Sequence, residues 1–130
     1  MPTIFSRIVN GEIPCYKIAE DDRYFAFLDI SPLKKGHTLV IPKAEVDYLF
    51  DLDEESYSGL FLFARKVAAA IQKAIPCTKV GVAVIGLEVP HCHIHLVPLH
   101  NVSDLNFSNA KLMLDKTEME AIAEKIKASF

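Results

Sequence analysis

The stretch Val89-Pro90-His91-Cys92-His93-Ile94-His95-Leu96-Val97-Pro98 decides how the chain is read. It holds three of the sequence's five histidines, at alternate positions. The residues between and after them are apolar, and a proline stands near each end. This pattern predicts a strand of ordinary length bounded by breakers. Side chains alternate across a strand, so His91, His93 and His95 share one face and Cys92, Ile94 and Leu96 the other. The apolar face suits a core. Three polar rings in a row are costly to bury without partners, so the imidazole face needs a use.

Three uses are open. The face could simply be a polar outer surface, which fits one histidine better than three in register. It could hold a metal ion. Residues two apart on a strand are separated by roughly 6.5–7 Å, so the outer rings stand about 13 Å apart. A zinc–nitrogen bond is only about 2.0–2.1 Å long, so one ion takes two of the rings at most. The third use is phosphorus chemistry, with the middle ring as nucleophile and its neighbours as proton donors and orienters. Imidazole suits this because its ordinary pKa of about 6.5 leaves much of it neutral near pH 7. The same ring type can also donate a proton to a leaving group.

His91-Cys92-His93-Ile94-His95-Leu96-Val97 also matches His-φ-His-φ-His-φ-φ, where φ is apolar. In this the chain resembles the histidine triad family of nucleotide hydrolases and transferases. By size it is similar to the small Hint-type members, and the resemblance spans residues 3 to 98.

Composition agrees with a small folded protein. The 130 residues predict a single domain over 1–130, with a core of 3–98 and a C-terminal loop and helix over 99–130. Apolar residues make up 51% and charged residues 24%, a globular rather than a disordered balance. A net charge of −3 argues against a general nucleic-acid binder but leaves room for a single nucleotide. Cys15, Cys77 and Cys92 are odd in number, with no Cys-x-x-Cys, so neither a disulfide framework nor a zinc ribbon is expected. The stretch Met1 to Arg7 lacks a basic region followed by an apolar one, and no run of about 18 apolar residues occurs. No signal peptide, no membrane span and a cytoplasmic location are the expectations.

In chain order, residues 3 to 10 predict a short helix capped by Thr3 and ended by Gly11, with Ile4, Phe5 and Ile8 as an apolar patch. Residues 16–20 and 23–29 predict two strands joined by a turn at Asp21-Asp22. Asp29 either caps the following Ser31-Pro32 turn or offers its acceptor-only carboxylate to a ribose diol. His37 to Pro42 predicts a third strand, and Lys34, Lys35 and Lys43 read as surface charges. Asp53 opens a long helix over about 53–75. Its apolar residues spread past one stripe, so a second burial partner is expected, most simply a twofold dimer. Residues 78–85 predict a strand that pairs antiparallel with the triad strand. On a continuous strand Glu88 is out of phase with the histidines, so it is expected to point away from them. The polar stretch after Pro98 is long enough to lie over a site. His100 reads as a surface residue. Thr117-Glu118-Met119-Glu120 reads as the capping box of a last helix. The sum is an α+β fold: a five-stranded antiparallel sheet with helices packed on it, covered on one face, expected to run on through a homodimer.

The resemblance implies more. Relatives hydrolyse phosphoramidates or related nucleotidyl bonds on purine nucleoside monophosphates. On that basis His93 is the expected nucleophile, held in its tautomer by a backbone carbonyl near His91. His95 and His37 are the expected phosphate contacts, with His95 the expected proton donor, and His91 is a support. Asp29 is the expected ribose acid. Ile4, Phe5, Ile8, Phe27 and Leu28 are the expected wall around the base. No cofactor and no metal are expected, and the partners are a purine nucleotide such as an AMP derivative and a second copy of the chain. Many relatives carry Cys-x-x-Cys near the N-terminus as half of a zinc site, where this chain has Thr3 and Ser6. The family also usually reads Gly-Gln-x-Val-x-His before the triad, where this chain has Gly86-Leu87-Glu88-Val89-Pro90-His91. That substitution keeps a second function open: a dimer that binds purine nucleotides or a protein partner with little turnover. A metal-dependent hydrolase is a third.

Overall fold

A computed structural model describes residues 2–130; Met1, at the start of the stretch read for a signal peptide, lies outside it. The elements are α1 (Ile4–Val9), β1 (Lys17–Glu20), β2 (Tyr24–Leu28), β3 (Thr38–Pro42), α2 (Glu54–Ala74), β4 (Lys79–Ala83), β5 (Ile94–Leu99) and α3 (Lys116–Lys127). The strands form one sheet in the order β1-β2-β3-β5-β4, every pair antiparallel.

Alternation along the strands divides the interior in two. Tyr24, Ala26, Leu28, Val40, Ile94 and Leu96 face α2 and α3. Phe25, Phe27, Leu39 and Ile41 face the other way, where Phe5 of α1 covers them. The sheet is therefore covered on both faces, not on one. A strand that is buried on both sides has no polar face to show, and β2 and β3 are buried at every position. Phe5 is 7% exposed. Burial of a side chain this size contributes about 1.5–3 kcal/mol and helps hold a helix of only six residues to the sheet.

The long helix starts where its sequence says it should. Asp53 accepts from the Ser56 amide at 2.7 Å, and Glu54 and Glu55 sit at the positive end of the helix dipole. Leu60, Ala64, Val67, Ile71 and Ala74 bury one stripe. Gly59 allows the closest approach: a Cβ there would lie 2.0 Å from the Tyr24 hydroxyl oxygen. Tyr24 uses that space to donate to the Ser56 carbonyl at 3.1 Å.

Three local expectations are corrected. The triad strand begins at Ile94, not Val89, and passes through Pro98 to Leu99. Pairing of β5 with β3 ends at Leu96, so the missing N–H of Pro98 breaks no bond on that side. Residues 84–93 are irregular, so the strand phase does not reach Glu88. The last helix is capped by Asp115, which accepts from the Glu118 amide at 2.8 Å; Thr117 lies inside it. That helix packs in cis, with Met119, Ala123 and Ile126 buried against α2 and the sheet.

Candidate active site

The face of the sheet that carries α1 also carries the histidines. A cavity of about 450 Å³ opens there, within the range of small-molecule sites. Ile4, Phe5, Ile8, Phe27, Leu28 and Asp29 all line it, and so do His93 and His95. His91 and His37 do not; both are buried behind it, at 0% and 1% exposure. Further residues join them, among them Phe107, which sequence alone did not single out, and Glu88, which strand phase aimed elsewhere. Phe107, from the loop after β5, lies edge-on to His95 with ring centroids 4.7 Å apart. Glu88 lines the cavity with its neighbour Leu87, because the backbone before β5 is not extended. Phe107 is the one aromatic residue in a polar stretch, and that was the available signal.

Each imidazole is held in one tautomer by its surroundings. His91 Nε2 lies 2.7 Å from the Pro42 carbonyl and His93 Nδ1 lies 2.8 Å from the His91 carbonyl. A carbonyl only accepts, so both nitrogens carry hydrogen. A neutral His93 therefore keeps its unshared lone pair on Nε2, on a ring that lines the cavity. The other pair is set the opposite way. The Leu33 amide donates to His37 Nδ1 at 3.0 Å, which puts the hydrogen of a neutral His37 on Nε2. That hydrogen is given to His95 Nδ1, 3.0 Å away. His95 then carries its own hydrogen on Nε2. Gly36, at φ +93°, makes the turn that brings His37 under its own loop.

Burial keeps the second pair neutral. It pushes His37 down to about 3, with the charges of His95 and Lys111 adding to the effect. It pushes His95 down to about 4, helped by His93. His91 is lowered too, mainly by burial. Asp29 is raised by burial against a bond from the Ser31 amide at 2.8 Å to Oδ1. Asp29 Oδ2 lies 3.6 Å from His37 Nε2, and with His37 neutral this is no ion pair. Asp29 thus caps its turn with one oxygen and lines the cavity as well. Lys34 and Lys43 do not reach the site; they pair with Asp104 at 3.3 Å and Glu20 at 2.7 Å.

Two metal sites can be tested against these contacts. Among the described residues, Asp29, His37 and His95 offer donor atoms within 4.8 Å of one another. To ligate, His37 would need its lone pair on Nε2 and its hydrogen on Nδ1, facing the Leu33 amide. The residues therefore do not fit a metal without losing that bond. Thr3 and Ser6 stand where the resemblance sets a zinc-binding Cys pair. Neutral hydroxyls are not among the usual zinc donors, and the Thr3 hydroxyl is already engaged by His91 Nδ1 at 2.8 Å. That group does not fit either.

Comparison with known proteins agrees with this geometry. The HIT domain family model matches residues 10–102. The chain belongs to that family. It is 34% identical over 128 residues to the adenosine 5′-monophosphoramidase hnt1 of Schizosaccharomyces pombe, covering 97% of this chain and 96% of the relative. A Hit-like protein of Bartonella henselae involved in cell-cycle regulation superposes with a TM-score of 0.85 at 31% identity, covering 98% and 96% of the two chains. A hypothetical histidine triad nucleotide-binding protein of Sulfolobus tokodaii superposes with a TM-score of 0.82 at 26% identity, covering 96% and 89%. The five-stranded antiparallel sheet with its three helices is the fold of these neighbours.

Proposed function

We propose that the protein is a purine nucleotide phosphoramidase or nucleotidyl hydrolase that works through a covalent nucleotidyl-His93. One observation carries the reading: the His91 carbonyl takes the Nδ1 hydrogen of His93 and leaves Nε2 as a bare lone pair on the cavity side. His93 Nε2 attacks the α-phosphorus, the P–N bond of a phosphoramidate breaks, and the amine leaves with a proton from water. Water then attacks the same phosphorus, the P–Nε2 bond breaks, and a nucleoside monophosphate departs. Two steps replace one difficult displacement. His95 serves as a hydrogen-bond donor to the phosphoryl group through Nε2, because a ring that titrates near 4 holds no proton to give as imidazolium at pH 7. His37 orients His95 and has no wall on the cavity, so a direct phosphate contact is not part of the reading. Asp29 receives the ribose hydroxyls, and Ile4, Phe5, Ile8, Phe27 and Leu28 receive the base.

The working form is a homodimer. Val82 on the edge strand β4 is 53% exposed, Ile85 just beyond it 49%, and Leu62 on α2 53%. An open edge with apolar neighbours invites a second strand. No helix among the described residues is long and apolar enough to cross a membrane.

The test is AMP release from adenosine 5′-phosphoramidate and from a diadenosine polyphosphate, with and without EDTA. Release unchanged by EDTA, with an adenylylated chain trapped on His93, is the expected result. Release abolished by EDTA would show that the tautomer argument at His37 fails. AMP binding without release would favour the nucleotide-binding dimer, for which exposed Leu87 beside Glu88 is the supporting feature.

A further inference from the structure

Glu45 stands outside the cavity, on the loop after β3. Its Oε1 accepts from the Thr3 amide at 2.6 Å and from Ser6 Oγ at 2.7 Å. Thr3 Oγ1 accepts from the Ser6 amide at 3.0 Å. A second oxygen, Ser6 Oγ, lies 3.3 Å from Thr3 Oγ1, but the shorter and buried partner is His91 Nδ1 at 2.8 Å. His91 Nε2 already gives its hydrogen to Pro42, so Nδ1 can only accept, and the Thr3 hydroxyl must donate. Every hydrogen in this chain is thereby assigned. The direction of the Thr3–His91 bond is set by the Pro42 carbonyl, which cannot donate, while Glu45 holds Thr3 by its amide and takes the Ser6 hydroxyl hydrogen.

The same loop holds the next peptide, since the Val46 carbonyl accepts from the Cys92 amide at 2.7 Å. Residues 42–46 therefore grip α1 through Glu45, the His91 ring through Pro42 and the His91–Cys92 peptide through Val46. The carbonyl of that peptide is the one that fixes His93 Nδ1. Phe5, carried by α1, lies edge-on to both His91 and His93, at 5.7 and 4.9 Å. A shift of Thr3 is thus felt at the ring that faces the cavity.

We propose that Glu45 and Thr3 are positioning residues for His93: they lock the His91 ring, and with it the carbonyl that sets the tautomer of His93. The proposal rests on the reading of His93 as the nucleophile. Thr3, at 8% exposure, and His91, at 0%, form the buried link, so Thr3 carries the larger share and exposed Glu45 the smaller. The lock does with hydrogen bonds what a metal could not do with two hydroxyls.

The experiment compares wild type, Thr3→Val, Glu45→Ala, Glu45→Gln and the Thr3→Val/Glu45→Ala double variant. Histidine ¹⁵N spectra at neutral pH are recorded with kcat and KM for AMP release. Thr3→Val keeps the shape of the side chain and the amide bond to Glu45 but also removes the cap on the Ser6 amide. Thr3→Ala, which loses both hydroxyl bonds and the shape, and the urea midpoint of each variant are therefore measured beside it, to separate lost helix stability from the lost lock. Wild-type His91 is expected to carry hydrogen on Nε2, with Nδ1 at the frequency of a bonded lone pair. In Thr3→Val that resonance moves to the frequency of a free lone pair, and the Nδ1–H of His93 becomes mixed. kcat falls about tenfold, the scale of one lost hydrogen bond, while KM stays within about twofold. Glu45→Ala gives a smaller fall, Glu45→Gln restores it because Gln Oε1 still accepts, and the double variant falls no further than Thr3→Val. Additive losses, or a His91 that carries its hydrogen on Nδ1, would overturn the proposal. If wild type releases no AMP, the catalytic reading fails by itself, and the spectra still decide the lock: a His93 Nδ1–H unchanged in Thr3→Val refutes it.

Discussion

Two pairs of histidines stand on one face of the sheet and are set to opposite tasks. In the pair His91 and His93 each ring meets a backbone carbonyl, so each gives a hydrogen away and His93 is left with a lone pair on Nε2. In the pair His37 and His95 the series starts from a backbone amide, so each ring receives on Nδ1 and gives from Nε2. The side chains are chemically identical. What differs is whether the main chain behind them offers C=O or N–H. Four imidazoles thus yield one nitrogen with a free lone pair and one donor nitrogen, told apart by main-chain contacts.

The comparison breaks most visibly at the lone pair. Replacement of His93 by Ala removes the only nitrogen proposed to bond phosphorus, and kcat for AMP release should fall by roughly 10⁴- to 10⁶-fold, with AMP binding retained. A fall of less than about a hundredfold, measured with no adenylylated protein in wild type, would assign the chemistry elsewhere. The donor side is worth less. His95→Ala should cost about 10²–10³ in kcat, as for one lost donor to a charged oxygen, and His95→Gln should recover part of this through its amide N–H. Equal losses in Ala and Gln variants would mean that the ring does something other than donate. His37→Ala leaves His95 Nδ1 without its hydrogen-bond donor and the Leu33 amide without an acceptor. About tenfold in kcat is expected, with little change in KM, since His37 does not line the cavity.

The difference between the pairs could not be read from the sequence, although both were visible in it. Alternation along 91–96 correctly parted Cys92, Ile94 and Leu96 from the histidines, because side-chain direction depends only on neighbours in the chain. Asp29 was legible for the same reason: its turn lies two residues away. Helical spacing made Ile4, Phe5 and Ile8 legible as an apolar patch on a capped segment; that they line a cavity was implied by the family resemblance alone. Of the tautomers only that of His93 was anticipated, and only through the family resemblance, which sets a backbone carbonyl near His91. The rest were not legible, since Leu33 and Pro42 act through main-chain atoms that every residue type shares. Glu88 was misplaced because strand phase was carried back through Pro90 into backbone that is not a strand. The Thr3–His91 bond spans 88 residues of sequence, and nothing local announces it.

The smallest effect sharpens the comparison through stability. The folded protein protonates His95 only near 4 and His37 only near 3, whereas an unfolded chain does so near 6.5. Between these values the unfolded state binds more protons, so stability falls as pH drops from about 6.5 towards 4. His91, lowered in the same direction, adds to the slope. Asp29 opposes it, because its raised pKa makes the folded state the better proton binder just above 3.8. Asp104 does not interfere: it is lowered to about 2, mainly by bonds from the His100 and Asn101 amides, and its contribution is lost only below this window. Each buried ring contributes a slope of at most about 1.4 kcal/mol per pH unit. Urea midpoints at pH 7, 6 and 5 should therefore decline in wild type and decline less steeply in His37→Asn, by up to one ring's share. An Asn side chain cannot be charged, so the variant removes the titration even if it costs stability at pH 7. Parallel declines in the two proteins would show that His37 takes up its proton in the folded state, and the donor series from Leu33 to His95 would lose its starting point.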